Sequence, residues 1–401
     1  MQEGQYQPDA EGVLTGIRVI DMSRLAAGNM ITRMLVDFGA DVIKIERPEI
    51  GDDLREFGEG HVWWKEYARS KKSFSLDFRS DEGAKLLLEL VAVSDMLVEN
   101  FVPGTLEKWG LGPEALLKIN PDLVIVRISG YGQTGPYANK PGFGTLVEAM
   151  TGFAAMTGFE DKPPLLPPMA LADMIAGIAG FGGAIAALFA RERGRARGQV
   201  VDLSLFEPLF SVIGPWQAHY QANGKIPIRE GNLSKIASPR SVYECADGKY
   251  VALSASMQSM WEKVAVSIGR QELIDDPRFR TGQDRVDNMH ELNDIVGGFI
   301  ASKSRADNLA HFGEAGVTVG PVCDPTDLKD HEYIRGRAVV EDYPDDEHGT
   351  IPLHTPFPRL SETPGKIRSQ APTLGQHTNE ILEMLGRSEQ ERETLHERGI
   401  V

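Results

Sequence analysis

Between residues 16 and 132 the sequence alternates short β-branched runs with helical patterns, and this rhythm constrains the fold more than any other feature. "GIRVIDM" (16–22) reads as a strand, and "AGNMITRMLVDFGA" follows as a helix ending at Gly39. "DVIKIERP" (41–48) is the next strand, stopped by Pro48, and "SDEGAKLLLELVAVSD" (80–95) is a helix with Ser80 as N-cap and acids in its first turn. "MLVENF" and "DLVIVRISGYG" are further strands, separated by "GPEALLKINP". Strand–helix–strand repetition predicts a parallel sheet flanked by helices, whose ligands sit at the loops after the strand C-termini.

The pattern then changes. A long apolar helix near 172–192 is followed by a basic turn and a strand in "RGRARGQVVDLSLFEP". Residues 219–256 read as hairpin territory, with an Asp-Gly turn in "CADGKYVAL", and helices are expected near 258–269, 290–302 and 304–315. From about 331 the chain is Pro-rich, and a last helix is expected to start at Thr378 or Asn379. The expected organisation of the 401 residues is a large α/β domain over 1–224, a small α+β domain over 225–330, and a C-terminal segment over 331–401.

With 42 basic and 58 acidic residues the net charge is −16, which disfavours a general nucleic-acid or anionic-membrane binder. Two cysteines, Cys245 and Cys323, suit reduced thiols rather than a disulfide framework, and no Cys/His spacing suggests a metal site. No secretory signal is visible in "MQEGQYQPDAEG", and a cytoplasmic location is expected.

The stretch "PPMALADMIAGIAGFGGAIAALFA" (167–190) is long enough to span a bilayer, but its Gly and Ala content and its single charge favour a buried helix. That charge is Asp173, with no cation in the run before Arg191. One reading makes Asp173 an N-cap or first-turn acid. The other makes it a partly desolvated nucleophile, walled by Met169, Leu171, Met174 and Ile175; desolvation raises its pKa while backbone N–H donors lower it. The glycines at 177, 180 and 183 permit close approach on one face, by another backbone or by a flat ligand.

Other chemistries fit less well. A dinucleotide fingerprint needs G-x-G-x-x-G after the first strand, and "MSRLAAGNM" has one glycine. No G-x-S-x-G occurs, and no histidine lies between His61 and His219, so a Ser/His/Asp triad finds no support. His377 reads as structural. Arg47, Lys71, Lys72 and Lys108 fall where an α/β sheet presents ligand-facing loops, and a phosphorylated ligand would need cations there. "RISGYGQTGPYANKPGFG" (127–144) is a long Gly/Pro loop after a strand, a common site of function.

Several motifs in order resemble the family III CoA-transferases, whose members include formyl-CoA:oxalate and carnitine CoA-transferases and the related 2-methylacyl-CoA racemases. They are "LTGIRVID" (14–21), "GADVIKIERP" (39–48), "KKSFSLD" (71–77), "DMLVENFVPGTLEKWGLG" (95–112), "ISGYGQTGPY" (128–137), "LADMIAG" (171–177), "ARGQVVDLSL" (196–205) and "APTLGQHTNEIL" (371–382). The resemblance implies a Rossmann-like large domain with a parallel sheet, a smaller α+β domain, and an interlocked homodimer with the active site between subunits. It places Asp173 at the family's catalytic aspartate, and Arg47, Lys71, Lys72, Asn100, Phe101 and Lys108 at or beside positions that hold CoA. Backbone amides near Ala26, Ala27 and Gly28 are oxyanion candidates, and Tyr137 and Phe143 are candidate substrate contacts. Coenzyme A enters as substrate; no tightly bound cofactor and no metal are implied.

The expected activity is acyl-CoA:carboxylate CoA transfer between small mono- or dicarboxylic acids, by way of mixed anhydrides and an aspartyl-CoA thioester on Asp173. Racemisation or isomerisation of a CoA ester at C2 is the alternative. The racemase branch carries a histidine in the region matching "PGFGTLVEAM", where this chain has Phe143 and Gly144. The oxalate enzyme carries Gln and Glu at the matches of Ala26 and Gly144, and its glycine-rich lid is replaced here by "EGNLSKIASPRS". The acceptor acid is expected to meet Arg229, Asn232 or Arg240.

Overall fold

The computed structural model describes residues 2–226 and 228–401. The chain forms two compact units: one made of 1–154, 166–224 and 332–401, the other of 155–165 and 225–331. Residues 155–165, which the sequence reading assigns to the first domain, thus cluster with the second unit.

The larger unit is built on six parallel strands: β1 (Arg18–Asp21), β2 (Asp41–Glu46), β3 (Lys72–Ser75), β4 (Met96–Glu99), β5 (Val124–Ser129) and β6 (Val200–Ser204). Their spatial order is β3-β2-β1-β4-β5-β6. The order reverses beside β1, which makes the C-terminal edge at β1 and β4 a topological switch point. β3 lies inside "KKSFSLD", where no strand was expected; four residues carry too short a pattern to stand out.

Alternate strand residues serve opposite cores. Val19, Val42, Met96, Val98, Val124 and Val126 face a core shared with α1 (Ala27–Asp37) and α5 (Leu171–Glu192). Ile20, Ile43, Ile45, Leu97 and Ile125 face the other, shared with α3 (Asp81–Ala92) and with the chain end at Ile381, Leu395, Ile400 and Val401. The result is a helix–sheet–helix sandwich whose second layer is completed by the C-terminal segment. Ser80 caps α3, accepting the Gly83 N–H at 3.0 Å. Two further helices matter below: α2 (Val62–Tyr67), not anticipated from sequence, and α4 (Gly144–Met150).

Helix α5 is long and apolar enough to cross a membrane by length and composition. Here one face of it, including Ala172, Ala176, Gly180 and Ala184, packs in the core with α1 and the sheet. Small residues set that approach. A Cβ on Gly177 would lie 2.6 Å from Met30 Cβ, whereas one on Gly182 would meet nothing within 4 Å.

The second unit has a three-stranded sheet, β7 (Arg240–Glu244), β8 (Tyr250–Ser254) and β9 (Val319–Pro321), with β8 central and both pairings antiparallel. The expected Asp-Gly turn joins β7 to β8, with Gly248 at φ +71°. Helices over 258–267, 289–300 and 305–314 pack on one side around the buried Trp261 and Phe312.

These packing distances separate two substitutions on one helix. Gly177→Val should destabilise the protein by about 1–3 kcal/mol through overpacking against Met30. Gly182→Ala should be neutral or stabilising by up to about 1 kcal/mol through helix propensity. Urea unfolding midpoints of the two variants test the contrast.

Candidate active site

Beside the C-terminal halves of β1 and β2, and where the chain enters β3, lies a buried cluster of two acids and two bases. Lys44 Nζ is 3.3 Å from Asp21 Oδ1 and 2.9 Å from Asp52 Oδ2. Lys71 Nζ is 3.1 Å from Asp21 Oδ2 and donates to Asn29 Oδ1 (2.8 Å) and Thr32 Oγ1 (2.7 Å). Burial pushes the Asp21 carboxyl up, but Lys44 and Lys71 overcome it and hold the pKa down at about 2. Burial outweighs Asp21 at Lys71 and brings its ammonium down to about 8.

This cluster anchors the loop between β1 and α1. Asp52 Oδ1 accepts the Leu25 N–H at 3.0 Å, and Leu25 sits at φ +58°, a strained conformation for a leucine. The Asn100 side chain grips the next residue from both sides, accepting the Arg24 N–H at 2.8 Å and donating to its carbonyl at 2.7 Å. The loop therefore stands as a fixed wall with a cavity on each side.

One cavity, of about 130 Å³, lies among Arg24, Arg47, Arg79, Phe78, Phe101 and Trp109. The three aromatic rings meet edge to face at centroid separations of 5.5–6.1 Å. The other, of about 470 Å³, is lined by Leu25, Ala26, Leu54, Phe57, Trp63 and Phe143, then by α4 and the start of α5. Two of its lining residues are acids, Asp173 and Glu148; none is Lys, Arg or His.

Asp173 occupies the third position of α5, so it is a first-turn acid and not the N-cap. Ala170 holds the cap position and has no side chain to offer. The Ala172 N–H is instead taken by Glu148 Oε1, 3.1 Å away on α4. Gly144 makes room for the nucleophile candidate, since a Cβ there would fall 2.3 Å from Asp173 Oδ2. Burial first, then the Glu148 charge, pushes the Asp173 carboxyl up from 3.8 to about 6, with its own backbone N–H opposing.

The structure distributes the sequence-derived residues unevenly. Asp173, Ala26 and Phe143 line one cavity, while Arg47 and Phe101 line the other, with Asn100 clamping the wall between them. Ala27 and Gly28 are buried behind Ala26, and Gly28 is small because Ser23 Cβ would lie 2.1 Å from a side chain there. Lys71 faces inward, 1% exposed, so its ammonium is committed to the core and not to a surface anion. Lys72 is bridged to Asp41 (3.3 Å) and Glu380 (2.8 Å). Lys108 is exposed and lines neither cavity. Tyr137 meets Tyr131 edge to face under the Lys140 ammonium, 3.5 Å from the Tyr137 ring centre, outside both cavities.

In the second unit Arg229 donates to the carbonyls of Phe159 and Lys162, bracing a loop. Asn232 and Arg240 line a groove on the sheet there. Sequence reasoning missed Glu148, Arg24 and Arg79. Glu148 carried the same signal as Asp173, one acid in an apolar helical run, "TLVEAM".

Residues 14–378 match the model of CoA-transferase family III. The chain belongs to that family. It is 36% identical to a succinyl-CoA–D-citramalate CoA-transferase of Chloroflexus aurantiacus over 97% of this chain and 98% of that protein. It is 32% identical to the succinyl-CoA:glutarate CoA-transferase of Mus musculus over 94% and 88%. Among solved structures, a CAIB/BAIF family protein from Brucella suis superposes with a TM-score of 0.82 at 32% identity, covering 94% of this chain and all of that one. As a family III CoA-transferase, the chain is an enzyme.

An acid whose pKa rises on folding favours the native state only while protonated. That contribution is full below 3.8 and lost as pH rises through about 6. Asp173→Asn removes the loss. The variant should therefore gain stability over the wild type above about pH 6.5, by an amount of order 2 kcal/mol, and little at pH 4. Thermal unfolding at the two pH values tests this.

Proposed function

We propose that this protein moves coenzyme A between small carboxylic acids, dicarboxylates among them, with the Asp173 carboxylate as nucleophile. The observation that carries the reading is Asp173 itself: an acid at a helix start, facing a cavity without cations, beside a glycine that leaves its carboxylate room. A carboxylate paired with Lys or Arg is a poorer nucleophile; this one is free to attack carbon. The named activities of the relatives support succinyl-CoA as a donor and a second dicarboxylate as acceptor.

In the proposed sequence the ionised Asp173 attacks the thioester carbonyl of the donor, the C–S bond breaks, and a mixed anhydride and CoA thiolate result. The thiolate attacks the aspartyl carbonyl of the anhydride and expels the donor acid, leaving an aspartyl-CoA thioester. The acceptor carboxylate attacks that thioester, forming a second anhydride and freeing the thiolate again. The thiolate then attacks the acceptor acyl carbon, releasing the new acyl-CoA and the Asp173 carboxylate. Each tetrahedral oxyanion needs N–H donors, and the backbone at Ala26 and the start of α5 border the same cavity.

Coenzyme A would approach across the clamped loop. Arg47, with Arg24 and Arg79, supplies positive charge for its phosphates, and Phe101 with Phe78 and Trp109 offers an apolar bed for a flat base. Lys71 is left out of this set because it is buried in the charge cluster. A homodimer, cytoplasmic in location, completes the proposal.

Mixing the protein with succinyl-CoA should give a covalent CoA adduct by intact mass, lost to hydroxylamine and mapping by peptide mass to Asp173. Asp173→Asn should lower transfer by at least about 10³-fold with its fold intact. Full activity in that variant would refute the mechanism.

A further inference from the structure

We infer that Glu148 is a positioning residue for the nucleophile: it anchors the first turn of α5 and places a second negative charge beside the Asp173 carboxylate. The inference rests on the reading of Asp173 as the nucleophile. Residues four apart share a helix face, so Gly144 and Glu148 present one edge of α4 to the start of α5. Gly144 leaves a gap that Asp173 Oδ2 fills, and Glu148 Oε1 takes the Ala172 N–H at 3.1 Å. One short helix thus fixes both the backbone and the carboxylate of the attacking residue.

A neutral side chain could accept that N–H equally well. Glu148 is nonetheless an acid, 3% exposed, and among the described residues it forms no ion pair. Burying a carboxylate without a cation is costly, so the charge calls for a purpose beyond the hydrogen bond.

The other charged groups on elements packed against α5 are engaged elsewhere. On α1, Arg33 and Asp37 bind Glu66 and Arg69. Arg127 on β5 pairs with Glu99 and Glu107, and Asp202 on β6 accepts the Gln133 N–H. Glu207, on the helix over 206–212, accepts from Ser204. Arg191, at the far end of α5, pairs with Asp95.

Among the described residues Glu148 is the one other charged group lining the cavity with Asp173, and its charge adds to burial in raising that carboxyl's pKa to about 6. A more basic carboxylate is a stronger nucleophile toward a thioester, provided it stays ionised at working pH.

Two variants separate charge from anchor. Glu148→Gln keeps an acceptor for the Ala172 N–H and removes the charge. Glu148→Asp keeps the charge and withdraws it by one methylene. The readouts are the rate of adduct formation on Asp173 with succinyl-CoA against pH, kcat and KM at pH 8, and thermal unfolding. Glu148→Gln should move the acid limb of the rate profile to lower pH by at least about half a pH unit. Glu148→Asp should keep the wild-type limb and lower kcat by about tenfold or more, with KM for succinyl-CoA within about twofold.

A purely structural residue would change stability and leave the limb in place. An unmoved limb in Glu148→Gln, or a wild-type rate in Glu148→Asp, overturns the inference. If Glu148→Gln does not fold, Glu148→Asp alone decides by its rate. If the wild type itself forms no adduct on Asp173, the proposed mechanism fails first, and that result is distinct from an adduct that forms normally in both variants.

Discussion

Two lysines and two aspartates, buried beside the C-terminal halves of β1 and β2 and at the entry to β3, hold the cavity-bearing half of the larger unit together. Ions taken out of water are tolerated only with close partners, and here Lys44 bridges Asp21 and Asp52 while Lys71 binds Asp21, Asn29 and Thr32. Such a cluster has few alternative arrangements, because moving any member strands a buried charge. Asp52 passes that rigidity to the loop before α1 through the Leu25 amide, and Asn100 adds a second grip at Arg24. The two cavities stand on either side of this loop. A wall held this firmly can keep a ligand in one cavity aligned with the Asp173 carboxylate in the other.

The proposed nucleophile is arranged on the opposite principle. The cluster neutralises charge; the cavity at Asp173 withholds it. Aromatic and aliphatic walls, Glu148 and a helix start replace the cation that most buried carboxylates have. The energetic consequence is a buried carboxylate that costs stability at neutral pH, the trade seen where function requires a strained or destabilised site. A single glycine makes the geometry possible, because Gly144 lets α4 approach the carboxylate itself.

The strand–helix rhythm of residues 16–132 was legible because each buried parallel strand is a short β-branched run and the covering helices carry recognisable boundaries, the stop at Gly39 and the N-cap at Ser80. The lysine pair in "KKSFSLD" shows where such reading fails. Adjacent residues in a strand point to opposite faces, so Lys71 and Lys72, indistinguishable as letters, part at the strand's edge: one enters the core and the other bridges Asp41 and Glu380 near the surface. Arg79 and Arg24 were overlooked for a related reason. Each follows a different strand, and only the parallel sheet brings those ends to one cavity.

The sequence by itself determined the parallel α/β class, the long Gly/Ala helix and the isolation of Asp173, since these depend on local periodicity and composition, which need no partner to read. The folded chain decided which neighbours that acid has. Glu148 and Gly144 reach Asp173 only when α4 packs across the start of α5, and the Ala172 N–H finds its acceptor there and not in a capping side chain of its own helix. Electrostatic effects and steric fit depend on distances through space, and the spacing of residues along the chain does not contain them.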